Sequence, residues 1–195
     1  MSPRPYQLGK RRVGTDETRA RVVEAARAIL TDPGTPAFTV DAVSARADVA
    51  RMTVYYQFKS KGGLLEALFD DLGSRANLQQ LRTVFENPDA PAALDMLVAI
   101  FCRFWQSERI LLRRLNALAA LDSEVDQAIS ERGGWRREGI AEIVSRLKLG
   151  ARSGEVVDLL HMLTSFETFD ALATPGRSGP EIVSMTQRAA RRLLS

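Results

Sequence analysis

Apolar residues recur every three or four positions along most of the chain, the spacing that buries one face of a helix. Val22, Ala26, Ile29 and Leu30 mark a first helix starting near Thr15 or Asp16, with Asp32-Pro33-Gly34 as its stop. Thr39 is placed to cap a short second helix through Arg46, with Val40 and Val43 turned inward. Ala47-Asp48-Val49 reads as a tight turn and Arg51 to Phe58 as a third short helix. Ser60 then caps a longer helix carrying Leu64, Leu65, Leu68 and Leu72. Beyond Asn87-Pro88-Asp89-Ala90-Pro91, the residues Leu94, Leu97, Val98, Phe101, Phe104 and Trp105 share one helical face. Further helices are expected from about Glu108 to Leu121, Ser123 to Leu149, Glu155 to Ala173 and Pro180 to Leu194. Ser178 and Glu181 have capping-box spacing at the start of the last one. No stretch alternates apolar and polar residues with β-branched enrichment, so the expectation is an all-α chain of about nine helices without internal repeats.

Gly133-Gly134 falls inside a helical stretch, where each glycine costs roughly 1 kcal/mol against alanine. Either the helix breaks there or the backbone comes close to another group, a ligand being one choice.

Composition adds exclusions. With 45% apolar and 26% charged residues, the chain has the proportions of a globular protein rather than a disordered or fibrous one. Its apolar runs are too short to span a bilayer. Met1 to Val13 carries four basic residues but no apolar core, so it is read as a flexible basic arm and not a secretory signal. The single cysteine, Cys102, excludes an internal disulfide framework, and a cytoplasmic location is the expectation. It could sense redox state only through a partner thiol; a packed thiol is the alternative.

Charge is uneven. Residues 1–63 hold 11 Lys/Arg against 6 Asp/Glu, a net +5, whereas the whole chain is +3. A basic first third on a mildly acidic remainder suggests a polyanion-binding end, and the motif there sharpens that reading. Two short helices joined by a three- or four-residue turn form a helix-turn-helix. Val40, Val43, Ala47, Val49, Val54 and Phe58 would lock the pair together. The outer face of the third helix is then left to Arg51, Thr53 and Tyr56, residue types that read base edges or touch phosphate in a major groove.

In order and spacing, Thr39, Val43-Ser44, Ala47-Asp48-Val49-Ala50, Thr53 to Phe58 and Ser60-Lys61-Gly62-Gly63-Leu64-Leu65 resemble the DNA-binding region of the TetR (tetracycline-repressor-like) transcriptional regulators. The resemblance covers residues 16 to 72 well; the remainder matches in length and helical layout. Two positions depart from the pattern: Asp48 stands where the turn usually has glycine, and Ala50 where a serine often caps the recognition helix. Asp tolerates a left-handed backbone, and losing the serine cap removes a bond worth on the order of 1 kcal/mol.

The resemblance implies that Tyr55 and Lys61 contact backbone phosphate, joined by Thr39 at a helix N-terminus; Arg51 and Thr53 lead for base readout, with Tyr56 third. It implies a basic arm at 1–13, a DNA-binding domain at 14–63, and an effector and dimerisation domain at 64–195. By the same resemblance, a homodimer forms through the last two helices, binds an inverted-repeat operator in double-stranded DNA, and lets go when an unidentified small apolar or amphipathic effector binds. Ile182, Thr186, Ala189 and Leu193, with Leu159, Leu160, Leu163 and Phe166, are equally consistent with a dimer surface and an internal core.

Candidate pocket liners are Met96, Phe101, Trp105, Trp135, His161, Met162 and Phe166, each of which would also suit a plain core. His161 is the only histidine, a poor basis for a transition-metal site. No nucleophile elbow, phosphate loop or metal-ligand cluster is present, so no enzyme, metal or cofactor is expected.

Overall fold

The computed structural model describes residues 8–32 and 38–194, and the side chains among them from Gly14 onward. The described residues form eleven α-helices and two 3-10 turns, an all-α architecture as expected. They divide into two compact units, residues 1–71 and 72–195.

In the first unit, α1 (Leu8–Thr31), α2 (Val40–Arg46) and α3 (Arg51–Phe58) lead into α4 (Lys61–Arg75), which runs through the unit boundary. That boundary lies later in α4 than the expected break after residue 63. The helix expected from Thr15 or Asp16 instead begins at Leu8, so Leu8 to Val13 extends α1 rather than forming an arm. No proline follows Pro5 in this segment to prevent that extension. The remainder of the expected arm, residues 1–7, lies outside the described residues, as does the Pro33-Gly34 stop. Val22, Ala26, Ile29 and Leu30 are buried on α1, as are Val43, Ala47, Val54, Phe58, Leu64 and Leu65 on the helices and turn that follow.

The second unit contains α5 (Leu81–Glu86), α6 (Ala90–Ser107), α7 (Arg109–Ala119), α8 (Ser123–Ser145), α9 (Ser153–Leu163), α10 (Phe166–Leu172) and α11 (Gly179–Leu194). Helix α6 lies at its centre and packs on α5, α7, α8, α10 and α11. It starts at Asp89, whose side chain accepts from the Ala92 amide, with Pro91 in the first turn. Helix α8 starts at Asp122, which accepts from the Glu124 and Val125 amides. Helix α11 starts in the expected capping box: the Ser178 amide donates to Glu181 Oε2 at 2.7 Å, and the Glu181 amide to Ser178 Oγ at 3.4 Å.

Two features raise the helix number above the expected nine. Residues 81–86 form a short helix of their own, and the expected helix over 155–173 is split. Ser165 takes an extended backbone and its hydroxyl oxygen caps the next helix at the Thr168 amide. Across Gly133-Gly134 the helix is unbroken, and the group lying close is His161, whose Nε2 is 3.0 Å from the Gly133 carbonyl oxygen.

Candidate nucleic-acid interface and bundle cluster

The helix-turn-helix is built by local bonds that can be traced one by one. Thr39 has an extended backbone, and its hydroxyl oxygen accepts from the Ala42 amide at 3.1 Å, setting the start of α2. At the other end the Asp48 amide donates to the Ala45 carbonyl at 3.3 Å and the Val49 amide to the Ser44 carbonyl at 3.0 Å. That pair of bonds is a Schellman motif, which requires a left-handed residue just past the helix. Asp48 supplies it with φ 52°, so the departure from glycine leaves the turn intact. Ala50 precedes α3 with no side-chain cap, as its methyl group dictates. Ser60 caps α4, its hydroxyl oxygen accepting from the Gly63 amide at 3.0 Å.

This scaffold gives α3 two faces. Val54 and Phe58 are buried, whereas Met52 and Tyr56 are 73% and 74% exposed. Arg51 is exposed and Thr53 and Tyr55 are half-buried, so Arg51 and Tyr56 are presented to solvent with Tyr55 at the margin. Met52 was not among the sequence candidates. A lone methionine carries no polar signature, and its exposure follows from position on the helix alone.

Arg51 is already engaged within the chain. Its guanidinium lies 3.1 Å from the Asp41 carboxylate on α2 and donates to the Tyr55 hydroxyl at 3.3 Å. The Tyr55 bond, followed by the Asp41 charge, raises the pKa of Arg51 above its ordinary value. Both partners keep the charge on and hold the head group on the exposed side of α2 and α3. Lys59 donates from Nζ to the Tyr56 carbonyl at 3.2 Å, and Lys61 Nζ sits 5.8 Å from the Phe38 ring centre. Arg19 of α1 reaches the same region, donating to the Gln57 carbonyl at 3.1 Å and lying over Phe58. Thus α3 and the turn into α4 carry exposed Arg51, Tyr56 and Lys59 with half-buried Tyr55 and Lys61, a composition suited to phosphate and base edges.

In the second unit the expected pocket residues separate. Phe101, Trp105 and Phe166 are buried together: Phe101 stacks on Trp105 with ring centres 5.6 Å apart, and Phe166 meets Trp105 edge-on at 5.9 Å. Trp105 donates its indole N–H to the Thr164 carbonyl at 3.0 Å. His161 joins this cluster through Arg136, which lies over both Phe101 and Trp105. Burial, followed by the neighbouring Arg136 charge, lowers the pKa of His161 below its ordinary value. Trp135 and Met162, expected with them, are instead 59% exposed, with Trp135 lying under the Arg132 guanidinium. Met96 is about 14 Å along α6 from Trp105 by helix rise, and there its sulfur accepts from Asn87. Ile182, Thr186, Leu160 and Ala190 are buried within the chain.

Residues 22–68 match the family model described as bacterial regulatory proteins, tetR family, a span containing α2, α3 and the first part of α4. That segment of the chain is similar to the TetR family. Solved structures extend the likeness, as one of fold, over most of the chain. A TetR-family transcriptional regulator from Rhodococcus sp. superposes with TM-score 0.71 at 17% identity, over 92% of this chain and 100% of its own. A TetR regulator from Haloarcula marismortui gives 0.67 at 14% identity, over 92% and 97%. A transcriptional regulator from Saccharomonospora viridis, in complex with choline, gives 0.63 at 19% identity, over 92% and 96%. No curated protein sequence matches the chain. Among the described residues, no three His, Cys, Asp or Glu side chains are grouped to hold a metal ion, and no helix is long and apolar enough to cross a membrane.

Proposed function

We propose that this chain is a TetR-family, DNA-binding regulator, a repressor that holds an inverted-repeat operator as a homodimer and leaves it when a small organic effector occupies the second unit. The observation that carries the DNA-reading part is the Schellman-closed helix-turn-helix whose α3 presents Arg51, Tyr56 and the Tyr55 margin to solvent. Arg51 and Thr53 read bases, with Tyr56 beside them; Tyr55, Lys61 and Thr39 hold phosphates. Arg51 exchanges the Asp41 carboxylate for a base edge or shares it across the groove. One eight-residue recognition helix covers few base pairs, and pairing by two-fold symmetry doubles the reading frame.

The dimer surface is assigned to α9, α10 and α11. Leu160, Ile182 and Thr186 serve the internal core, while Leu159, Leu163, Val183, Leu193 and Leu194 stay half-exposed and are available to a second copy. For the effector, the buried aromatic cluster of α6 and α10 supports a molecule with an apolar body. The choline held by the Saccharomonospora protein supports small organic molecules as the class. Release follows from linkage: an effector favouring a conformer with lower DNA affinity must lower that affinity by its own coupling factor.

The test is to compare Tyr55→Phe and Lys61→Ala with the parent chain for DNA binding and helicity. Each is expected to weaken binding across all sequences and to reduce its salt dependence in the lysine case, with helicity retained. Unchanged DNA binding in both would overturn the assignment of this surface.

A further inference from the structure

Among the described residues of the second unit, Arg136 alone leaves a buried side-chain polar atom without a partner. It projects from α8 toward α6, with its guanidinium carbon 5.8 Å from the Phe101 ring centre and 5.7 Å from that of Trp105. Its Nε is buried without a hydrogen-bond partner. Among the described residues, no carboxylate forms an ion pair with it, although Glu167 of α10 acts on it from farther away. The neighbouring Arg137 shows the contrast, donating to Asp158 at 2.6 Å. Burial lowers the pKa of Arg136 to about 10, which still leaves it charged at neutral pH.

Its closest partner is itself in conflict. His161 Nε2 lies 3.0 Å from Arg136 Nη2, which can only donate, and 3.0 Å from the Gly133 carbonyl oxygen, which can only accept. One imidazole nitrogen serves one of these, never both. If Nε2 carries the proton, the bond to Gly133 forms and the guanidinium loses its acceptor. If it does not, Arg136 is served and two lone pairs face each other across the Gly133 contact. The remaining bond, from Nη2 to the His161 carbonyl at 3.4 Å, is long. A half-buried guanidinium whose buried Nε has no acceptor is costly, and an incoming anion supplies what is missing.

We propose that the effector is an organic carboxylate whose acid group is bound by Arg136 and whose apolar body lies on Phe101, Trp105 and Phe166. This rests on the reading that the second unit takes an effector, and it names the chemical class. A carboxylate on Arg136 frees His161 to donate to Gly133, so binding satisfies both groups at once. Organic cations are disfavoured, because the Arg136 guanidinium beside these rings repels a second positive charge.

The test uses the full-length protein and its tryptophan fluorescence, with the Trp105 ring centre 5.7 Å from the Arg136 guanidinium carbon. Benzoate, phenylacetate and octanoate are titrated against benzamide, phenylacetamide, octanamide and choline. The expected result is saturable quenching or a shift with at least one carboxylate, roughly tenfold or more tighter than its amide, since a charge-assisted bond is lost with the amide. Arg136→Lys weakens carboxylate binding and Arg136→Gln abolishes the preference for acid over amide. Circular dichroism on both variants verifies the fold, and Glu167→Gln leaves the preference in place. The proposal is overturned by equal affinity for acids and amides, by tighter choline binding, by no response to any of the three acids, or by an acid preference that survives Arg136→Gln. DNA release is measured separately. Acid binding dependent on Arg136 without loss of DNA affinity keeps the anion site and removes the regulatory reading, whereas Arg136-independent release by a neutral compound does the reverse.

Discussion

Asp48 is the residue on which the helix-turn-helix geometry can be tested by a single substitution series. Its φ of 52° lies in the left-handed region, which costs an ordinary L-residue roughly 1–2 kcal/mol and Asp or Asn less. Glycine carries no such penalty but loses about 0.4–1 kcal/mol more chain entropy on folding. Asp48→Gly is therefore expected to stabilise the first unit by about 0.5 kcal/mol, and Asp48→Asn to change it little. Asp48→Ala should destabilise by about 0.5–1 kcal/mol, and Asp48→Val by more, since a β-branched side chain is the least tolerant of this backbone. Urea unfolding gives the ranking, and hydrogen exchange at the Val49 amide, which donates to Ser44, localises it. A glycine variant less stable than the parent, or a valine variant equal to it, would refute the left-handed turn.

Arg51→Ala should lower operator affinity roughly 5- to 150-fold and relax preference at one base pair, as loss of a base-reading arginine does; a loss uniform over all sequences would make Arg51 a phosphate contact. Trp105→Phe removes the bond to the buried Thr164 carbonyl and should cost about 1–3 kcal/mol in urea unfolding; a change under about 0.5 kcal/mol would contradict that bond. Cys102 is buried and burial pushes its thiol up to about 11, so it should react with a disulfide reagent at neutral pH only as fast as the chain opens; rapid stoichiometric labelling of the folded protein would contradict this. Burial pushes Asp170 upward, but donors from Arg113 and Arg109 outweigh it and hold the net pKa below 3.8. The fold binds fewer protons there than the open chain, so this contribution is present above pH 4 and fades as pH falls through the lowered value; Asp170→Asn should flatten the acid limb of stability against pH, and an unchanged limb would refute the linkage.

The first unit was legible because its signals are local. Thr39 caps α2, Val40 and Val43 set its buried face, and the turn falls where Ala47-Asp48-Val49 demands it. The cap at Ser178 and Glu181 was legible for the same reason. What escaped was set by tertiary packing. Ser165 divides an apolar run with no proline or glycine to mark it, and Leu81–Glu86 is too short to show a period. Trp135 and Phe166 are equally apolar in sequence, yet one is exposed and the other buried, because burial depends on which helix packs opposite. Arg136 and Arg137 are indistinguishable in sequence, and only the fold carries Arg136 over two aromatic rings.

The account's central claim is sequence-specific DNA binding through α3, and the direct measurement has two steps. The full chain selects from randomised duplex DNA, and fluorescence anisotropy then compares the enriched sequence with its scrambled counterpart at near-physiological salt. The account predicts an inverted repeat bound about a thousandfold or more tighter than the scramble. Equal, weak binding to both, with no sequence enriched, would contradict it.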